Sequence, residues 1–267
     1  MNTRSLLLGT PLLMAACASL ALAGPAQVDG ARIIAADQEP GNWMSHGRTY
    51  DEQRYSPLDR VNAGNVGQLG MAWTTKLDID SGTEATPLVV DGVMYTTGAF
   101  SIVYAINAAT GELLWKYDPK VSAENLSQGC CGPVNRGVAV WQGKVYVGSF
   151  DGRLIALDAG TGQPVWSVDT IIDRSKSYSI TGAPRIVKGK VLIGNGGAEF
   201  GVRGYVTAYD ADTGKQVWRF YTVPGDPKLP AENAAMAKAM KTWDGDGWVK
   251  WGGGGTVWDS MAYDPQL

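Results

Sequence analysis

One stretch of sequence occurs three times in this chain, as Ala105-Ile-Asn-Ala-Ala-Thr-Gly-Glu-Leu-Leu-Trp115, Ala156-Leu-Asp-Ala-Gly-Thr-Gly-Gln-Pro-Val-Trp166 and Ala208-Tyr-Asp-Ala-Asp-Thr-Gly-Lys-Gln-Val-Trp218. The tryptophans that end the copies are 51 and 52 positions apart. The Thr-Gly pair in each copy suits a tight turn between two strands, because glycine readily adopts the positive φ that such turns require. Alanine and tryptophan at fixed offsets would let the large ring dock on a neighbouring unit that carries no bulky side chain there.

A period near 50 residues, with several strands in each unit, is typical of propeller blades. A strand-like run with its own turn precedes each copy, at Asp91-Gly92, Gln142-Gly143 and Lys188-Gly189. Trp73 and the sequence Ala262-Tyr263-Asp264 resemble partial copies at the two ends. The sequence therefore predicts an all-β fold, a β-propeller represented by an incomplete set of blades with tryptophan-docking repeats.

The composition agrees with many short strands. Hydrophobic residues make up 45% of the chain and charged residues 18%, with 35 glycines and 10 tryptophans. Abundant glycine and aromatic residues favour strands and tight turns over helices. The exception is 231–243, which follows Pro230 and predicts a short helix inserted between blades. A net charge of -3 gives no basic surface for nucleic acid.

The N-terminus predicts the compartment. Residues 1–23 combine Arg4, an apolar stretch and the small-residue triplet Ala21-Leu22-Ala23, which is the pattern of a secretory signal peptide cleaved before Gly24. No later stretch is long and apolar enough to span a bilayer. We therefore expect a signal peptide at 1–23 and a partial propeller domain at 24–267, exported to the periplasm, without a membrane span.

Two cysteines are adjacent in Gln128-Gly129-Cys130-Cys131-Gly132-Pro133, and the predicted cleavage removes the third, Cys17. A disulfide persists in an oxidising compartment. A bridge between neighbouring residues closes almost no loop, so it contributes little to global stability. If the pair is oxidised, its role is therefore a different one, such as a rigid, polarisable sulfur surface.

The repeat, the cysteine pair, Gly194-Asn-Gly-Gly-Ala-Glu-Phe-Gly-Val-Arg-Gly204 and Gly253-Gly-Gly-Thr-Val-Trp-Asp-Ser-Met-Ala-Tyr-Asp-Pro265 resemble the pyrroloquinoline quinone (PQQ)-dependent alcohol dehydrogenases, above all the quinohaemoprotein branch. The resemblance runs from about Asn42 to the last residue. It implies an eight-bladed propeller, of which this chain is expected to be the N-terminal part. It also implies oxidation of a small primary alcohol to the aldehyde, with PQQ and Ca²⁺ as cofactors and a cytochrome as electron acceptor. A lanthanide in place of Ca²⁺, and a haem c in a C-terminal part, remain open.

The resemblance also assigns site residues. Disulfide-bonded Cys130 and Cys131 would lie against one face of PQQ, and Trp258 would stack on the other. Further contacts with the cofactor are assigned to Glu84, Val134, Arg136, Thr181, Gly197 and Ala198. Glu199 would bind the metal, because hard divalent cations prefer carboxylate oxygens. The catalytic base and the other metal ligands are expected beyond residue 267.

Two alternatives remain. A non-catalytic exported propeller scaffold shares the repeat, but it has no need for the cysteine pair, Arg136 or Glu199. A related quinoprotein could instead act on a polyol or sugar. His46 is the single histidine, which excludes histidine-rich metal sites and histidine triads, and no Rossmann glycine fingerprint is present.

Half a propeller leaves an open sheet face and unprotected strand edges, so residues 1–267 on their own should be prone to aggregation. Size-exclusion chromatography with light scattering tests this expectation. A monodisperse monomer with a cooperative unfolding transition would contradict it.

Overall fold

The computed structural model describes residues 24–79 and 81–267; the predicted signal peptide lies outside the described residues. Within them, twelve strands form three four-stranded antiparallel sheets in which consecutive strands are neighbours. The first sheet contains β1 (Leu88–Val90), β2 (Val93–Thr97), β3 (Val103–Asn107) and β4 (Leu113–Tyr117). The second contains β5 (Ala139–Trp141), β6 (Lys144–Gly148), β7 (Arg153–Asp158) and β8 (Pro164–Asp169). The third contains β9 (Arg185–Val187), β10 (Lys190–Gly194), β11 (Tyr205–Asp210) and β12 (Gln216–Tyr221). These sheets are propeller blades, which confirms the predicted fold.

Each sequence repeat covers the third strand of a blade, a turn and the fourth strand. In the second blade the carboxylate Oδ1 of Asp158 accepts hydrogen bonds from the N–H groups of Gly160 (3.1 Å) and Thr161 (2.9 Å). Gly162 then adopts a φ of 70°. The equivalent Asn107 and Asp210 accept the same bonds in the other blades. Local chemistry in the repeat therefore forms the turn, as Asx side chains commonly do.

Two of the three repeat tryptophans, together with Trp73, dock as predicted. Their indole N–H groups donate to a carbonyl in a blade turn: Trp73 to Ala108 (3.2 Å), Trp115 to Ala159 (2.9 Å) and Trp166 to Ala211 (3.1 Å). Trp218, which ends the third copy, is 40% exposed and makes no such contact with the residues described. A buried tyrosine of the second strand supports the same acceptor in two blades, Tyr95 at Ala159 (3.3 Å) and Tyr146 at Ala211 (3.0 Å). Trp73 therefore behaves like the outer-strand tryptophan of a preceding blade, and the tyrosines are partners that the repeat alone did not indicate.

The other suggested partial copy behaves differently. Tyr263 packs edge-on against Tyr50, with ring centroids 5.1 Å apart, and its N–H donates to the Tyr50 carbonyl (2.8 Å). Tyr263 therefore contacts the segment around Tyr50.

Within residues 24–79 and 81–267, helices are few and short. They are α1 (Gly30–Ile34), α2 (Ala234–Met240) and α3 (Gly247–Trp251), with 3-10 turns at Ala36–Gln38, Val66–Gln68, Ala99–Ser101, Ala123–Gln128 and Ala198–Phe200. The helix expected within 231–243 is present as α2, and Asn233 caps it by accepting from the N–H of Met236 (2.9 Å). In the part of the chain that the structure describes, no helix has the length and apolar character needed to cross a membrane.

A comparison of two glycines distinguishes the effect of the docked tryptophan ring from the effect of backbone strain in the turn. Gly162 and Gly189 have nearly the same left-handed backbone, with φ of 70° and 69°. A Cβ at Gly162 would lie 2.5 Å from the Trp115 ring, whereas a Cβ at Gly189 would meet nothing within 4 Å.

We expect Gly189→Ala to lower the free energy of unfolding of the intact protein by about 1–2 kcal/mol, through backbone strain alone. Gly162→Ala should cost about 1–3 kcal/mol more, because Trp115 must move. Urea denaturation of the two variants measures the difference. Equal losses would contradict a stabilising role for the docked ring.

Candidate functional site

The segments 83–87, 134–138 and 179–184, each of which precedes the first strand of a blade, lie side by side, and 256–258 lies next to them. We call these four stretches the lead-in segments. The Thr86 N–H donates to the Arg136 carbonyl (3.1 Å), and the Arg136 N–H donates to the Thr181 carbonyl (3.0 Å). The Trp258 carbonyl packs directly on Gly182, where a side chain would not fit. Residues that are far apart in the sequence are thereby brought together.

A cavity of about 270 Å³ opens beside these segments. Its volume is near the lower end of the range for small-molecule sites. Its walls contain most of the residues expected from the sequence: Cys130, Cys131, Val134, Arg136, Thr181, Gly197, Glu199 and Trp258. They also contain Phe150, Ser179 and Thr256, which no pattern in the sequence indicated. Glu84 and Ala198 are not among the lining residues, although Glu84 pairs with Arg136, which is one of them.

One wall of the cavity is formed by the cysteine pair. The structure joins Cys130 and Cys131 by a disulfide, with Cα atoms 3.8 Å apart. The preceding Gly129 lies so close to the buried Phe150 ring that a Cβ would approach it to 2.5 Å. The disulfide is therefore carried on a segment that packs against an aromatic side chain of the second blade.

Arg136 carries positive charge into the cavity. Its Nη2 forms an ion pair with Glu84 Oε2 (2.8 Å), and its Nη1 donates to the Thr181 carbonyl (3.3 Å). The guanidinium carbon lies 4.7 Å from the ring centroid of Trp258, which is a cation–π distance. Glu84 thus affects the cavity by orienting this guanidinium rather than by lining the wall.

Four consecutive glycines set the course of the backbone that leads to Trp258. Gly252–Gly255 all have positive φ, between 63° and 79°. The Gly254 carbonyl accepts from the Gly204 N–H (2.8 Å), and the Gly255 carbonyl accepts from the Thr222 hydroxyl (2.6 Å). Only glycine adopts such a run without large strain. The Trp258 side chain remains 42% exposed, so part of its ring surface is free to contact a ligand.

Glu199 lies on the turn Ala198–Phe200 between two left-handed glycines, Gly197 (φ 97°) and Gly201 (φ 75°). Buried Asn195 joins the two strands that flank this turn, because it follows β10 and its Oδ1 accepts from the N–H of Tyr205, where β11 begins (2.9 Å). Across residues 24–79 and 81–267, no group of three or more histidine, cysteine, aspartate or glutamate side chains is arranged to hold a metal. Glu199 therefore offers one carboxylate to the cavity.

His46 belongs to a buried cluster next to the lead-in segments. Its Nε2 lies 2.6 Å from Nη2 of Arg54, and Nη1 of Arg54 donates to the Thr86 hydroxyl (3.2 Å). Glu52 and Arg185 form a buried ion pair in the same region. Burial, assisted by the charges of Arg185 and Arg54, lowers the pKa of His46 to about 3. The neutral imidazole therefore supports an arginine that contacts the lead-in segment 83–87.

This pKa predicts a pH dependence. The unfolded chain binds a proton at His46 below about pH 6.5, whereas the folded protein resists protonation until about pH 3. Stability should therefore fall as the pH is lowered through this window. We expect His46→Gln to flatten the decrease in urea midpoint between about pH 7 and 4.5. Because His46 is the single histidine, an unchanged slope in the variant would contradict the assignment.

Comparison with known proteins extends these observations. Residues 43–267 match the profile of the family described as PQQ glucose/ethanol/alcohol dehydrogenase, beta-propeller domain. The chain is 67% identical over 264 residues to the quinohemoprotein alcohol dehydrogenase ADH-IIG of Pseudomonas putida, covering 99% of this chain and 37% of that protein. It therefore spans little more than a third of that relative's length.

Solved structures agree. A structure of quinohemoprotein alcohol dehydrogenase ADHIIG from Pseudomonas putida HK5 superposes with a TM-score of 0.89 at 71% identity, over 91% of this chain and 35% of that one. A europium-containing methanol dehydrogenase superposes with a TM-score of 0.76 at 36% identity, over 88% of this chain and 42% of that one. The chain therefore belongs to the PQQ-dependent glucose/ethanol/alcohol dehydrogenase family, of whose β-propeller domain it forms a part.

Proposed function

We propose that this chain contributes much of the PQQ site of a quinohaemoprotein alcohol dehydrogenase. The intact protein would oxidise a primary alcohol to the aldehyde and pass the electrons to a cytochrome. One observation carries the proposal: the disulfide and the Trp258 indole line the same cavity as the Arg136 guanidinium. A site for a flat anionic ligand needs this combination of planar surfaces and positive charge.

The donors around the cavity suit PQQ, which is a planar tricyclic quinone with three carboxylates. The sulfur ring and the indole offer flat, polarisable surfaces. Arg136 can donate two parallel hydrogen bonds to a carboxylate. The Thr181 hydroxyl can donate one more, and Gly197 exposes backbone without side-chain bulk. The residues present therefore fit the cofactor that the family name implies.

The carboxylate of Glu199 requires a cation in the cavity when an anionic cofactor is bound there. A carboxylate beside an anionic ligand is repelled unless a positive charge lies between them. Ca²⁺ takes several oxygen ligands, and Glu199 would supply one or two of them. We propose that the other ligands, and the base that accepts the alcohol proton, belong to the protein beyond this chain. A lanthanide is the alternative ion, since one similar structure contains europium.

When bound, PQQ supplies the two-electron acceptor for the hydrogen of the alcohol. The residues of this chain keep the cofactor flat, screen its faces from water and neutralise its negative charge. The disulfide suits this purpose because its short covalent ring cannot swing aside as a single side chain can. Export by the segment 1–23 and a haem c elsewhere in the protein complete the proposal.

The first test removes the sulfur platform. In the intact protein, Cys130→Ser combined with Cys131→Ser should weaken PQQ binding about tenfold, which corresponds to about 1.4 kcal/mol. Quenching of tryptophan fluorescence during PQQ titration measures the affinity. Mild reduction of the unaltered protein should reproduce the loss and should have no further effect on the double variant. Unchanged affinity and alcohol oxidation after reduction would remove the platform role.

The second test concerns the metal. Glu199→Gln keeps the side-chain shape but removes the charge, so the Ca²⁺ concentration for half-maximal alcohol oxidation should rise at least about tenfold. PQQ binding without Ca²⁺ should not weaken, because the repulsion is gone. Glu112→Gln, on an exposed turn of the first blade, is the matched control and should behave like the unaltered protein. The same Ca²⁺ dependence in Glu199→Gln would refute the metal assignment.

A further inference from the structure

A buried asparagine lies behind the cavity wall. Asn135 stands between Val134 and Arg136, which both line the cavity. Asn135 itself is wholly buried and is not part of the lining. Its backbone pairs in a parallel bridge with Thr83 in the neighbouring lead-in segment. The residue is thus next to the functional wall without touching the space that a ligand would occupy.

The side chain of Asn135 uses its full capacity for hydrogen bonds. Its Oδ1 accepts from the Thr97 hydroxyl (2.8 Å) and from the Gly137 N–H (3.0 Å). Its Nδ2 donates to the Ser101 hydroxyl (3.1 Å) and to the Gly148 carbonyl (2.7 Å). A carboxamide has two acceptor and two donor positions, so no other side chain of similar size reproduces this set.

These four bonds connect two blades at the level of the cavity. Thr97 ends β2 and Ser101 follows it, so both belong to the first blade, whereas Gly148 ends β6 in the second. The Ser101 hydroxyl also accepts from the N–H of Phe150 (3.0 Å), whose ring supports the disulfide segment. Asn135 therefore fixes the lead-in segment 134–138 relative to both blades and to that aromatic support.

Arg136 is the cavity residue whose position depends most on these hydrogen bonds. Its backbone is held on both sides by Thr86 and Thr181. Its side chain reaches Glu84 and the Trp258 ring. If the backbone of Arg136 rotates, the guanidinium at the end of this long side chain moves away from Glu84 and Trp258.

We propose that Asn135 is a positioning residue, which holds the backbone of Arg136 so that the guanidinium is presented to a carboxylate of the cofactor. The proposal rests on the proposed PQQ site. Asn135 acts through Arg136 and has no contact with the cofactor of its own. Removing the amide would leave the Gly148 carbonyl and the Gly137 N–H buried without their partners.

The experiment compares PQQ affinities in the intact protein. Asn135→Ala should weaken PQQ binding at least tenfold. Thr97→Val, which removes one bond and keeps the shape, should weaken it severalfold and covers the case in which Asn135→Ala does not fold. Thr207→Val is the control, because it removes the buried hydroxyl that accepts from Arg219 (2.7 Å) in the third blade. It should lower the unfolding midpoint but leave PQQ affinity within twofold.

A double-mutant cycle tests whether Asn135 affects PQQ binding through Arg136. In an Arg136→Ala background, Asn135→Ala should reduce PQQ affinity by less than twofold, because the positioned group is absent. Full additivity of the two losses would overturn the proposal. So would an equal loss of affinity in Thr207→Val, since general destabilisation would then be sufficient.

Hydrogen–deuterium exchange gives a readout that does not depend on the cofactor. In the PQQ-free protein, Asn135→Ala should speed exchange at Arg136 at least fivefold, although its N–H bonds to Thr181 and not to Asn135. Unchanged exchange overturns the positioning role. Failure of the unaltered protein to bind PQQ overturns the proposed function instead, and the exchange result then still decides the role of Asn135.

Discussion

The docking of the outer-strand tryptophans Trp115 and Trp166 on the turn of the next blade is the contact on which the rest of the structure depends. The indole ring covers a left-handed glycine, and its N–H reaches a carbonyl that a buried tyrosine also engages, as at Trp115, Tyr95 and Ala159. The ring packs on the turn while its N–H is directed at one carbonyl, so the contact restricts the orientation of each blade relative to the next. Burial of large aromatic surfaces supplies the driving force, and the hydrogen bond supplies the direction.

The site is a consequence of this stacking. No single blade contains the cavity; it lies where the lead-in segments of successive blades meet, and hydrogen bonds from Thr86 to Arg136 and from Arg136 to Thr181 connect them. Polar residues without access to the cavity hold these segments in place, among them Asn135 and the pair of His46 and Arg54. Because a buried polar group is costly when it is unpaired, such networks admit few alternative arrangements. A rigid wall is what a planar cofactor requires.

Local patterns carried the predictions that succeeded. The blade architecture, the docking of Trp73 and the helix in 231–243 follow from short-range signals: a Thr-Gly turn, an aromatic residue at a fixed offset, and helix formers after proline. Ala262-Tyr263-Asp264 matches the repeat in three residues, and Tyr263 packs edge-on against Tyr50, a contact that the repeat did not indicate. Phe150, Ser179 and Thr256 gave no signal, since an aromatic or hydroxyl residue in a loop has no periodicity that distinguishes it.

By itself, the sequence determined the strands, their turns and the identity of the docking residues, because these depend on neighbours within one repeat. It also determined which side chains are available for the proposed quinone site. The tertiary structure alone decided which of them share a cavity, that Glu84 pairs with Arg136, and that Ala198 is not among the lining residues. The physical reason is distance along the chain. Cys131 and Trp258 line the same cavity because of how successive blades are arranged. That arrangement arises from the packing of tryptophan rings on the turns of neighbouring blades.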